Sequence, residues 1–175
     1  MTYVDDAHGE GVLGEGYGIG AEFHVEDKID FQMGTFSKAL GSGGGMLAGD
    51  AETMEYVRNT ARTWLLSAAY PPAVTAANLK VLEIVEKEPE RVKRLWDNRD
   101  YFKKGLDSMG FDTGHSQTPI VPVIVGDTKK AKELSRTLFK KGIFVLPIVY
   151  PMVPRGTERI RNQLNADHTR DDLDK

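Results

Sequence analysis

Three short apolar runs, "TYV" (Thr2–Val4), "IDFQMGTF" (Ile29–Phe36) and "GGGMLA" (Gly43–Ala48), each end at polar or small residues and read as strands. The period then changes. Met54 and Val57 suggest a helix over Ala51–Asn59, and after Pro71 and Pro72 the residues Val74, Ala77, Val81, Ile84 and Val85 recur at helical spacing. Pro89 suits the first turn of a further helix, whose face is traced by Val92, Leu95, Trp96, Arg99, Phe102, Leu106 and Met109, with Gly110 as its stop. "PIVPVIVG" (Pro119–Gly126) reads as a strand and Ala131, Leu134 and Leu138 as a helix closed by Gly142. "IFVLPIVYP" adds a strand and a proline-rich loop, and Arg159–Leu164 alternates as a strand. Thr169 followed by acidic residues is a helix N-terminus. Alternating strands and helices in the second half predict an α/β or α+β domain.

Composition narrows this picture. The 175 residues are 40% hydrophobic and 28% charged with a net charge of −3, as in a globular protein without a global field for nucleic acid or anionic lipid. The absence of cysteine excludes disulfides and thiolate metal sites. No apolar run has the roughly 18 residues that span a bilayer, so a cytoplasmic protein without a membrane partner is the expectation. The opening strand has no preceding element to pair with, and the final helix ends after about one turn, so a fragment is expected.

Two clusters carry candidate chemistry. Asp5, Asp6 and His8 follow a strand, where open α/β sheets place ligands. They fit a solvated turn, a metal site completed by His24 or Glu10, or a carboxylate paired with a cationic ring nitrogen. In "MGTFSKALGSGGG" (Met33–Gly45), Lys38 lies between small residues ahead of a glycine run, where a backbone can approach a ligand and a partly desolvated amine can act as a nucleophile. The alternative is a surface lysine. The lysine precedes the glycines, so the run is not a nucleotide-binding P-loop.

"VDDAHGEGVLGEGYG" followed by "GTFSKALGSGGG", and continuing through "YPMVPRGTERIRNQLNADHT", resembles the pyridoxal-phosphate-dependent α-oxoamine synthases along the whole chain. The resemblance implies an α/β fold of the aspartate-aminotransferase-like type I class and pyridoxal phosphate (PLP) as cofactor. It implies an acyltransferase that condenses an amino acid with an acyl-CoA, acting as a homodimer. By position, Asp5 holds the pyridine nitrogen protonated, His8 lies beside the phenolic oxygen, Lys38 is the Schiff-base lysine and Thr35 binds the phosphate. Ser67 reaches the partner's phosphate across the dimer interface, and Arg161 binds the substrate carboxylate. No metal is implied.

The same resemblance assigns residues 1–72 to the C-terminal part of the PLP-binding domain, 73–110 to connecting helices and 111–175 to a small domain with a truncated last helix. It marks the chain as the C-terminal half of such an enzyme. Within the family, "YPMVPRGTERIR" is most similar to glycine C-acetyltransferase, acting on glycine and acetyl-CoA. The alternatives are 8-amino-7-oxononanoate synthase, acting on L-alanine and a pimeloyl thioester, a non-catalytic remnant, and an aminotransferase of the same fold.

Overall fold

A computed structural model describes residues 1–175, which form two compact units, Met1–Val92 and Lys93–Lys175. In the first unit, β1 (Tyr3–Asp5), β2 (Phe31–Thr35) and β3 (Gly45–Gly49) form a sheet in that order. β1 and β2 are parallel with Asp5 opposite Met33, and β2 and β3 are antiparallel with Thr35 opposite Gly45. The three expected strands are present with shifted ends. Ile29 leaves the second one because its N–H closes the 3-10 turn Glu26–Lys28.

Between β1 and β2 lies α1 (Ile19–Phe23), which the hydrophobic pattern does not reveal because five residues carry too little periodicity. After β3 come α2 (Ala51–Thr60), α3 (Arg62–Leu65) and α4 (Pro72–Lys87). Asp50 caps α2 by accepting the Thr53 N–H at 2.9 Å. Val74, Val81, Ile84 and Val85 form the half-buried face of α4, as their spacing predicts. Ala77 is exposed instead, and its neighbour Asn78 is the buried residue, donating from Nδ2 to the Gly43 carbonyl at 3.2 Å. This tie pulls the helix face round by one position.

α5 (Glu90–Ser108) begins at the end of the first unit and runs into the second. There β4 (Ile120–Ile124), β5 (Leu146–Ile148) and β6 (Arg159–Gln163) form an antiparallel sheet of order β4-β6-β5. α6 (Thr128–Lys140) joins β4 to β5, capped by Asp127, and α7 (Arg170–Asp174) starts in a capping box of Thr169 and Asp172. Val121 and Ile160 are the fully buried centre of this unit, with Ala131, Val149 and Leu164 also buried. The expected strand over "IFVLPIVYP" shrinks to three residues, because the Ile143 N–H closes the end of α6 on the Leu138 carbonyl.

Buried Asn98 of α5 donates from Nδ2 to the Asn165 and His168 carbonyls at 3.1 and 2.9 Å, fastening the chain ahead of α7. Asn98→Ala strips both carbonyls of their donor and is expected to cost about 2 kcal/mol, read from the midpoint of urea unfolding.

Candidate active site

β1 and β2 run parallel, so their C-terminal ends reach the same edge of the first sheet, and that edge gathers the predicted residues. Asp5 is the last residue of β1; its exposed carboxylate accepts the Ala7 N–H at 3.1 Å and so turns the chain outward. His8 is exposed in the turn that follows. Thr35 is the last residue of β2, and Lys38 is exposed in the turn beyond it. The expected partial desolvation of Lys38 is not provided by this chain: the glycines after it have no side chains to cover the amine.

The loop from Thr35 to Gly45 is tied at its base. The Phe36 N–H donates to the Gly44 carbonyl at 3.0 Å, and Ser42 N–H to the Phe36 carbonyl at 2.7 Å. Tyr70, which the sequence reading missed, donates its hydroxyl to the Gly45 carbonyl at 3.0 Å and accepts the Gly45 N–H at 2.9 Å. Thr35 Oγ1 donates to the Gly44 carbonyl at 2.9 Å and lies 2.8 Å from Ser37 Oγ, a second hydroxyl the sequence reading did not single out. A hydroxyl has one proton, so Thr35 must release Gly44 to donate to an anion, while Ser37 can turn outward more freely.

Beneath this edge are two buried carboxyl groups. Asp6 is 3% exposed; its Oδ2 accepts the Ile19 N–H at 2.7 Å and the Gln32 side-chain amide at 3.4 Å. Burial raises its carboxyl above the ordinary value, against the pull of hydrogen bonds from Ile19 and Gly9. A Cβ on Gly18 would lie 2.0 Å from Asp6 Oδ2, and Gly18 has φ +98°, so this position tolerates only glycine.

Glu10 is 9% exposed, and its carboxyl occupies the space where a Gly34 side chain would begin. Burial first, then the charge of Asp6, pushes its carboxyl up to about 7. The "HGEG" and "MGT" contexts hold the signal for this pair, but only the fold brings Glu10 onto Gly34.

The remaining candidates lie elsewhere. Ser67 is exposed after α3 and donates its hydroxyl to the Thr63 carbonyl. Arg161, in β6 of the second unit, is paired in register with Pro122 and Leu146, and its Nε is buried without a hydrogen-bond partner. His24 is the exposed left-handed C-cap of α1. No three His, Asp or Glu side chains converge to hold a metal, so His24 and Glu10 do not complete a metal site with the Asp5–His8 turn.

The family model described as "Aminotransferase class I and II" matches residues 1–175. The chain belongs to this family. Its fold is the type I fold of the PLP-dependent transferases, and its resemblance to the α-oxoamine synthases holds. An 8-amino-7-oxononanoate synthase of Symbiobacterium thermophilum is 50% identical over 176 residues, covering 100% of this chain and 45% of the relative. A serine palmitoyltransferase solved with its PLP internal aldimine superposes with a TM-score of 0.93 at 32% identity, covering 99% of this chain and 44% of that one. The 8-amino-7-oxononanoate synthase of Francisella tularensis gives a TM-score of 0.87 at 26% identity, covering 98% of this chain and 51% of that one. The chain thus spans about half the length of these family members or less. The relatives carry the name of the alternative in the sequence reading, 8-amino-7-oxononanoate synthase, rather than glycine C-acetyltransferase. No helix is long and apolar enough to cross a membrane.

Proposed function

We propose that this chain carries the cofactor-anchoring edge and substrate-carboxylate residue of a PLP-dependent α-oxoamine synthase. The activity proposed is that of 8-amino-7-oxononanoate synthase, joining L-alanine to a pimeloyl thioester. The observation that carries this reading is the convergence of Asp5, His8, Thr35 and Lys38 on the C-terminal edge of the β1–β2 pair. The choice of substrates rests on the relative at 50% identity.

The residues present fit PLP: an open carboxylate, a hydroxyl pair at a strand end and an exposed amine lie on one edge, while the unpartnered Nε of Arg161 suits a carboxylate. When bound, PLP supplies an electron sink beside the amino acid's Cα. The Asp5 carboxylate holds a proton on the ring nitrogen by its negative charge. Thr35 and Ser37 donate to the phosphate, and His8 orients the face of the ring. Lys38 Nζ would hold the cofactor and would be the general base that takes the proton from Cα. Arg161 grips the substrate carboxylate through two parallel hydrogen bonds, which fixes the bond that breaks.

We assign residues 1–72 to the cofactor domain, 73–110 to the connecting helices and 111–175 to the small domain. Ser67 is proposed to reach the phosphate of a second subunit in a homodimer. The test is exchange of the α-proton of L-alanine and of glycine with deuterated water, followed by NMR on the purified chain with PLP. Faster exchange of L-alanine supports the reading, faster exchange of glycine returns it to glycine C-acetyltransferase, and no exchange with either favours a non-catalytic remnant. Arg161→Ala is expected to raise the alanine concentration for half-maximal exchange roughly a hundredfold, with the maximal rate less affected.

A further inference from the structure

The outer face of the second sheet carries two cations and no acid. Val121, Val123 and Ile160 turn into the buried centre, so strand alternation sends Arg159 and Arg161 to the opposite face. The ladder then flanks each arginine with aliphatic residues on both sides: Arg159 lies between Ile124 and Ile148, and Arg161 between Pro122 and Leu146. Both arginines are half-buried, and none of the chain's ion pairs includes either of them. Arg159 Nε donates to the Thr157 carbonyl at 2.9 Å, which leaves its terminal nitrogens for a ligand, and Arg161 Nε is buried without a partner.

Two residues apart in a strand, their Cα atoms are about 6.6 Å from one another, and the two charges repel where aliphatic neighbours thin out the screening water. Anions on the guanidinium groups relieve that repulsion, and the planar forks suit carboxylates.

We propose that Arg159 is the specificity-determining residue for the acyl donor: it binds the far carboxylate of a dicarboxylic monothioester whose methylenes lie on the aliphatic flanks, while Arg161 takes the carboxylate of the amino acid. The identity of the acyl group rests on the synthase reading above; the paired anion site does not. An acetyl group has no anion for Arg159 and too little carbon to cover the flanks. A fatty acyl chain covers the flanks but leaves a half-buried guanidinium without its partner. A seven-carbon dicarboxylate satisfies both, and its carboxyl carbons stand about 7.5 Å apart when extended, close to the Cα spacing of the two arginines.

The test is an NMR titration of the whole chain, following backbone amide and arginine Nε–H resonances as pimelate or heptanoate is added. The two acids have the same number of carbons and differ by one carboxylate. The chain's net charge of −3 gives a dianion no general advantage, so a preference for pimelate reports a local site. Wild type is expected to bind pimelate about tenfold more tightly than heptanoate, with the largest shifts at Ile124, Ile148 and Arg159. Arg159→Met keeps an unbranched stem and should bind the two acids equally. Arg159→Lys should regain part of the preference, because it restores the charge but not the fork.

Equal affinities in wild type, a preference that survives in Arg159→Met, shifts centred outside β4, β5 and β6, or no binding of either acid overturns the proposal. Should Arg159→Met not fold, the wild-type shift map and the ratio in Arg159→Lys decide, and a ratio there equal to wild type rejects the fork. The titration needs no cofactor, so it stands apart from the α-proton exchange of L-alanine. A pimelate preference without exchange rejects the synthase reading and keeps the anion site, whereas exchange without the preference rejects Arg159 and keeps the synthase.

Discussion

Lys38→Ala is expected to eliminate the borohydride-stable attachment of pyridoxal phosphate and to lower α-proton exchange of L-alanine by about a thousandfold or more. Both effects trace to one atom. On the proposed reading Nζ would bond the cofactor aldehyde with loss of water, and would be the base beside Cα after the amino acid takes its place. Asp5 and Thr35 lie at the neighbouring strand ends and can hold the ring and phosphate without it, so the variant should keep part of its affinity for the cofactor while losing the covalent bond. Intact mass after reduction, with peptide mapping of the modified residue, separates the two contributions. A mass increment that persists in Lys38→Ala, or that maps to another lysine, would reject Lys38 as the anchor. Because the residue is exposed in a turn, its removal should leave the unfolding midpoint close to that of wild type, and loss of attachment cannot then be ascribed to misfolding.

Gly34→Ala is expected to be the most destabilising single substitution near this edge, on the order of 3 kcal/mol, measured by urea unfolding. A Cβ there meets Glu10 Oε2 at 1.7 Å and Oε1 at 2.1 Å, and the carboxyl is walled in, so it cannot swing aside as a surface side chain would. Glu10→Ser in the same chain removes the obstructing group, so the double variant should recover much of the loss. That recovery is a coupling energy: two residues in contact are non-additive, and simple addition of the two costs would show that Gly34 matters for some other reason.

How much of this was legible in the residues depends on the range of the interactions involved. The helix starts at Pro72 and Thr169 and the stop at Gly110 were readable because caps and proline act over three or four neighbouring residues. The long amphipathic helices showed themselves through repeated spacing. α1 and α3 did not, since a helix of four or five residues is held by its surroundings rather than by its own periodicity. Asn78 and Asn98 were invisible for another reason: a buried asparagine is defined by the carbonyls it meets, at Gly43, Asn165 and His168, and those lie 35 to 70 positions away.

The candidate site divides in the same way. Asp5, His8, Thr35, Lys38 and Arg161 were proposed from the resemblance of two motifs and the "RIR" segment to a known family, which is carried by contiguous sequence and needs no fold to be matched. Tyr70 and Ser37 were not singled out in the residues, and Asp6 and Glu10 were candidates there only for a polar turn or metal site; their burial required the folded chain. Nothing local marks Tyr70 as the clamp on Gly45, or Glu10 as the carboxyl seated on Gly34.

The amino-acid sequence by itself therefore determined most of the element pattern and the family. Tertiary structure alone decided that the Asp5 and Thr35 ends share an edge, since this depends on β1 and β2 pairing in parallel at a sequence separation of 28. It also decided that Glu10 is a buried acid rather than one more polar residue in a glycine-rich turn. Whether a carboxyl holds its proton is set by the water and charges around it, and these are assembled only when Gly34 and Asp6 close over it.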